Sequence, residues 1–308
     1  MKLIIEDNCS VPSKSELELV TPILKRYIES IVEAYQLDAL EYFVIADSKQ
    51  NSFNETVQKY AAIIGTNTSV TNNEGYQTAA KSIDGLDENG VYRQAIILKG
   101  MIWTQSVCDL MRLIDELPQQ LAEQTDSVKY ISLTTIIHEL GHAVDNLYQF
   151  RRDGYCDDQI AFDLLLPEEY KKYIDESVLS IWGEYFAERF CYSILGPKVR
   201  TGADESMMDC IKTYSKGSLS NQITERVYMI LYFFVRQLGY LHQMGENFDF
   251  SPLKEDEEAR AYIPFLKTIE ELVKTIYLGL PEWDECVVGD FAEIYHNLLR
   301  FEGEKQKW

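Results

Sequence analysis

The sequence predicts an α+β fold that is mainly α, and three observations carry that expectation. Apolar residues recur with helical spacing over most of the chain. Two short runs, 41–46 and 91–98, are instead dense in aromatic and β-branched residues and read as strands. Beyond Gly196-Pro197 nearly every segment has helical period. With 308 residues, 46% of them hydrophobic, the chain holds enough apolar material for one large domain or two ordinary ones, which argues against disorder.

Taken in order, Thr21-Pro22 reads as an N-cap followed by proline at the first helical position, with Leu24, Tyr27, Ile28, Ile31 and Tyr35 on one face. Ser52-Phe53-Asn54-Glu55 has the pattern of a capping box for a helix ending near Gly65. The stretch 66–90, rich in Asn, Thr, Ser and Gly, reads as loop with one short strand near 68–71. The strand at 91–98 has Ala95-Ile96-Ile97-Leu98 as its centre. A helix over 106–117 stops at Pro118. The next helix, 127–146, places Leu133, Ile136, Ile137, Leu140 and Val144 on its apolar face, and 151–158 reads as loop. Helix 178–195 ends at Gly196-Pro197, and further helices are expected over 203–215, 221–243, 257–278 and 284–301. A boundary near 198–202 would separate residues 1–197, with the strands, from a helical region at 198–308. That region could equally cover the first part as one body.

A net charge of −21 disfavours nucleic-acid binding, because such a surface repels phosphate backbones. No apolar run is long enough to span a bilayer; the longest, 228–235, lies between Arg226 and Arg236. The N-terminus lacks the apolar stretch of a signal peptide. Six cysteines, at 9, 108, 156, 191, 210 and 286, form no C-x-x-C pair, and scattered thiols fit a reducing cytoplasm.

The chemistry concentrates in His138-Glu139-Leu140-Gly141-His142, an H-E-x-x-H motif. A helix turns about 100° per residue, so His138 and His142 share a face and can hold one Zn²⁺ from adjacent turns. Glu139 then stands beside the metal's open side, where it can take a proton from the attacking water. The chain has four His in all, so a chance match is expected in roughly a few of a thousand such chains. Gly141 costs about 1 kcal/mol of helix propensity against Ala, a cost that suggests a close approach at that point.

A third ligand must come from elsewhere. The metzincin pattern would place it at Tyr148, with glycine where Asp145 stands, so that route is closed. Helix 178–195 offers Glu184 and Glu188, one turn apart on a half-apolar helix, and a cation would offset the cost of burying them. Glu184 is expected as the ligand. Glu188 is expected to accept a hydrogen bond from a ligand His ring.

HELGH with a downstream Glu184-Tyr185-Phe186-Ala187-Glu188 resembles the zincin metallopeptidases of gluzincin-like type. Glu184, Ala187, Phe190, Leu195 and Pro197 resemble the third-ligand helix of the ImmA/IrrE family of bacterial regulatory metallopeptidases. His138 to Asp145, and the spacing to Glu184, resemble the anthrax lethal factor-like group more closely. The resemblance covers residues 130–197. It implies a small twisted sheet over the two motif helices, with strand 91–98 near a bound peptide or protein substrate. One departure is that Ser177 stands where the lethal factor-like group has a tyrosine.

That departure leaves the donor to the reaction's oxyanion open. Tyr148 and Tyr173 are candidates, and Asp145 could orient a ligand. His242 and His296 could polarise a carbonyl, though surface or capping roles suit them better. Two functions follow as expectations: a zinc endopeptidase with one metal ion, or a zincin-fold regulatory or binding module with little turnover.

Overall fold

The structure, a computed structural model, describes residues 1–66, 68, 72–73, 76–114, 131–153, 177–196, 203–217, 222–280 and 285–305. The fold is α+β and mainly α. The chain divides into two compact units, residues 1–155 with 194–201 and residues 156–193 with 202–308.

The first unit contains, in order, β1 (Lys2–Ile5), α1 (Lys14–Ala34), β2 (Leu40–Ala46), α2 (Gln50–Ile64), β3 (Asn72–Asn73), β4 (Tyr76–Gln77), β5 (Ala80–Leu86), β6 (Tyr92–Lys99), α3 (Gly100–Leu113) and α4 (Ile131–Asp153). The main sheet has the order β1-β2-β6-β5, and β3 pairs with β4 separately. β1, β2 and β6 run parallel, while β5 pairs antiparallel with β6, so that β1 and β5 end the sheet.

Helices cover both faces of this sheet, which is why its central strands read as unbroken apolar runs. Val44, Ala46, Ala95 and Ile97 join Phe53, Val57, Tyr60 and Ile64 of α2 in one core. On the other face, the Phe43 ring lies 5.7 Å from that of Trp103 on α3. The Trp103 indole donates to Thr21 Oγ1 of α1 at 3.2 Å, so the one polar atom of a fully buried side chain is satisfied. Each such buried side chain contributes about 1.5–3 kcal/mol.

Several elements differ from the sequence reading. α1 starts at Lys14, not at Thr21-Pro22. Ser13 and Glu16 form a reciprocal capping box there, with the Ser13 N–H donating to the Glu16 carboxylate at 2.8 Å. Pro22 is accommodated inside the helix. Its missing N–H removes the bond to the Glu18 carbonyl, and Glu18 is on the exposed side. α2 starts after Lys49 with no side-chain cap, so the box at Ser52 does not form. It does end at Gly65, as expected, with φ of 78°. A side chain there would meet the Leu86 carbonyl at 1.8 Å, so the position demands glycine twice over.

The largest difference is β5, which lies within the stretch read as loop. The short strand expected at 68–71 falls mostly outside the described residues. α3 begins six residues earlier than expected, at Gly100, and the stop at Pro118 lies outside the described residues. α4 continues through Asp153, so 151–153 are helix and not loop.

The second unit is helical among the described residues: α5 (Leu179–Leu195), α6 (Ala203–Ser215), α7 (Ile223–Gln243), α8 (Ser251–Lys254), α9 (Glu257–Arg260), α10 (Ile263–Gly279) and α11 (Glu285–Lys305). The single helix expected over 257–278 is split into α9 and α10, because Pro264 in the first turn of α10 has no N–H to continue the earlier helix. Residues 179–193 of α5 fall within this unit. No helix among the described residues is long and apolar enough to cross a membrane.

Gly239 of α7 lies directly against α5. A Cβ there would stand 2.7 Å from the Tyr185 carbonyl oxygen and 3.0 Å from the Glu188 Cβ. Gly239→Ala is therefore expected to destabilise the protein by about 1–3 kcal/mol, although alanine is the better helix former. Urea unfolding measures this, and a neutral or more stable variant would show that α7 does not need that approach.

Candidate metal centre

α4 buries Leu133, Ile136, Ile137, Leu140 and Val144 almost completely. With that stripe committed to the core, His138 and His142 share another. Their Nε2 atoms are 3.1 Å apart and the rings meet edge to face, with centroids at 4.7 Å. Two imidazole nitrogens about 2.0–2.1 Å from a tetrahedral zinc would stand about 3.3 Å apart, close to this spacing. The same distance also suits a hydrogen bond between neutral rings, one donating and one accepting. His138 is buried and His142 half-buried, and Glu139 is half-buried.

Neighbouring elements fix this helix. Asp109 of α3 accepts from the Leu133 N–H at 3.1 Å, in the first turn of α4. Burial raises the Asp109 carboxyl, and this backbone bond partly opposes the shift. From the sheet, Gln94 Nε2 donates to the Ala143 carbonyl at 2.8 Å, and Asn146 Nδ2 donates to Asp84 at 3.1 Å.

On α5, Glu188 is buried and Glu184 half-buried. The sequence reading sought a cation for this acidic pair, and α7 supplies one. Arg236 reaches Glu188 Oε2 at 2.9 Å through Nη2 and at 3.0 Å through Nε, and its Nε lies 3.9 Å from Glu184 Oε2. The expected partner of Glu188 was a ligand imidazole; Arg236 occupies at least one of its oxygens. The arginine is 48 positions away, so no local pattern could announce it.

His138 and His142 converge from adjacent turns of α4, and Glu184 is the carboxylate that the sequence reading adds to them as third ligand. Two imidazole nitrogens and a carboxylate oxygen are the combination of His₂Glu catalytic zinc, with a fourth position left over. The side chains present therefore fit the ion that the motif implies.

The other candidates fare differently. Asp145 is buried and accepts from Gln149 Nε2 at 2.9 Å. Tyr148 lies on α4, about 240° round the helix from His142. Tyr173 lies outside the described residues. His242 lies in the last turn of α7 and is not on the surface, one of the two roles preferred for it. Its side chain is 4% exposed, with Nδ1 at 2.9 Å from the Tyr185 hydroxyl and Nε2 at 3.4 Å from Glu270. Tyr185, next to Glu184, also accepts from Arg189 at 2.7 Å, and burial pushes its hydroxyl up to about 12. His296 is half-buried within α11.

A cavity of about 450 Å³ in the second unit is lined by Ser215, Lys216, Arg226, Glu258, Glu302 and Lys305. Every cation there already faces a carboxylate, including Arg226 on Glu302 at 2.6 Å and Lys216 on Asp256 at 2.7 Å. It is an internally paired network. Comparisons with known proteins found no matching family model, no matching curated protein and no matching solved structure.

Proposed function

We propose that the chain is a zinc-dependent endopeptidase of zincin type, with one Zn²⁺ held by His138, His142 and Glu184. The observation that carries this reading is the 3.1 Å convergence of the two Nε2 atoms on one helix, with Glu139 in the intervening turn. The resemblance of HELGH and the Glu184–Glu188 helix to gluzincin-like peptidases supports it. So does the sheet. Among the described residues β5 ends the sheet on one side, and β6 lies inside it between β2 and β5. α4 packs against both β5 and β6. An extended peptide or protein substrate could add to the β5 edge by backbone hydrogen bonds. The dispersed cysteines, free at 9, 108 and 210 among the described residues, support a reducing compartment such as the cytoplasm. The acidity of the chain speaks against nucleic-acid partners.

When bound, zinc would polarise the scissile carbonyl and bring the acidity of a water toward neutral pH. The two histidines would bind as neutral imidazoles and Glu184 as a carboxylate. Glu139 accepts the proton of the attacking water and returns it to the leaving amine.

Arg236 favours a second reading. It already neutralises part of the charge of Glu184 and Glu188, so part of the cost of burying these acids is offset without a metal. A zincin-fold regulatory or binding module with little turnover follows if that pairing is the whole role of the acids. One experiment separates the two. Purified protein is expected to carry one zinc per chain and to cleave members of a peptide library. Chelation should abolish the cleavage and added zinc should restore it. Cleavage that survives chelation would sink the metallopeptidase reading, and stoichiometric zinc without cleavage would favour the module.

A further inference from the structure

We infer that Gln94, Tyr92 and Asp84 of the sheet, with Asn146 of α4, form a polar latch that sets the position of the His142 turn, and that these are positioning residues for the metal. The inference rests on the metallopeptidase reading. Asp84 and Gln94 are directly opposite each other across the β5–β6 pair, so their side chains share one face of the sheet. Tyr92, two residues from Gln94, is on that face too. α4 lies across it. The Tyr92 ring stacks on Phe150 with centroids 3.9 Å apart.

Four hydrogen bonds join these groups. The Tyr92 hydroxyl donates to Asp84 Oδ2 at 2.9 Å and accepts from Gln94 Nε2 at 3.1 Å. Gln94 Nε2 also donates to the Ala143 carbonyl at 2.8 Å, and Asn146 Nδ2 donates to Asp84 Oδ1 at 3.1 Å. Ala143 follows His142 directly. Asn146 continues the stripe of His138 and His142, another four residues on. The latch therefore grips α4 just after the second histidine and along the same stripe.

The arrangement is unnecessary for burial alone. Gln94 is fully buried in a strand whose next four residues, Ala95 to Leu98, are apolar, and an apolar side chain there would avoid any need for partners. What a polar group adds is direction. Hydrophobic contact lets a helix slide or roll by a fraction of an ångström, whereas a chain of directed bonds selects one register. The latch also ties the helix to the strand at the sheet edge. It thereby fixes the histidines relative to the backbone that a substrate would pair with.

Gln94→Leu and Asn146→Ala are the test, read by zinc affinity in chelator competition, hydrogen exchange of the metal-free protein, and urea unfolding. The expected result is a weakening of zinc binding by about 10–100-fold, the range for partners that orient ligands. Exchange in metal-free peptides covering 140–147 should quicken more than in those covering 40–46. Lost stability with unchanged zinc affinity would overturn the positioning role and leave a structural one. Unchanged local exchange would show that no latch exists. Should the wild type fail to bind zinc, the metal reading and the positioning role both fall. The exchange data would then still show whether the latch holds the helix, which keeps the two failures distinct.

Discussion

Glu139→Gln is expected to retain zinc at one ion per chain while kcat/KM for peptide hydrolysis falls by about 10²–10⁴-fold, the usual contribution of a positioned general base. That corresponds to about 3–5 kcal/mol of transition-state stabilisation. The substitution keeps the shape of the side chain and replaces a proton acceptor with an amide that has no basic oxygen at neutral pH. Glu139 is half-buried and the helix apolar stripe does not include it, so global stability should change by less than about 0.5 kcal/mol. The fall should appear in kcat with KM little altered, because the proton transfer belongs to the reaction and not to substrate binding. Glu139→Asp, one methylene shorter, should fall between the two. A glutamine variant that binds zinc and hydrolyses at the wild-type rate would remove Glu139 from the mechanism. A variant that loses zinc would show that the carboxylate has a ligand or supporting role instead.

The sequence could disclose this helix because its information is local. Two histidines four residues apart, an apolar stripe on another face and a glycine within the motif all sit inside one periodic segment. The central strands were visible for a similar reason, since burial on both faces leaves continuous apolar runs such as Phe43 to Ala46. β5 was hidden because Ala80-Lys81-Ser82-Ile83-Asp84-Gly85-Leu86 lacks β-branched and aromatic residues apart from Ile83. Its strand state comes from antiparallel pairing with β6, a tertiary decision that propensity cannot anticipate. Proline at position 22 drew the helix start eight residues too late, while the Ser13–Glu16 box carried the better signal. Arg236 and the burial of His242 depend on contacts between helices far apart in sequence. Gln94 offered a sign that could have been used: a polar residue leading into an apolar strand core needs a partner, and that need points to a neighbouring helix.

Removing a proposed ligand gives the second large effect, and it also decides between the two acids of α5. Structural zinc sites with four ligands bind with about 10–16 kcal/mol, or roughly 2.5–4 kcal/mol per ligand, so loss of one ligand should weaken binding by roughly 10²–10³-fold. His142→Ala and Glu184→Gln are both expected to fall in this range. Glu188→Gln should behave differently. Arg236 approaches Glu188 to 2.9 Å but Glu184 only to 3.9 Å, so the Glu188 carboxylate is the one committed to an ion pair. Neutralising it leaves a partly buried arginine short of a counter-charge, which should lower stability and change zinc affinity less. Unfolding with and without zinc reads both quantities. At zinc 100-fold above its dissociation constant, the wild type should gain about 2.7 kcal/mol. Glu184→Gln should lose most of that gain. Glu188→Gln should retain most of it on a lowered baseline. If Glu188→Gln instead loses the zinc-dependent gain and Glu184→Gln keeps it, the ligand assignment is exchanged, and the Arg236 pair must then open for the metal to enter.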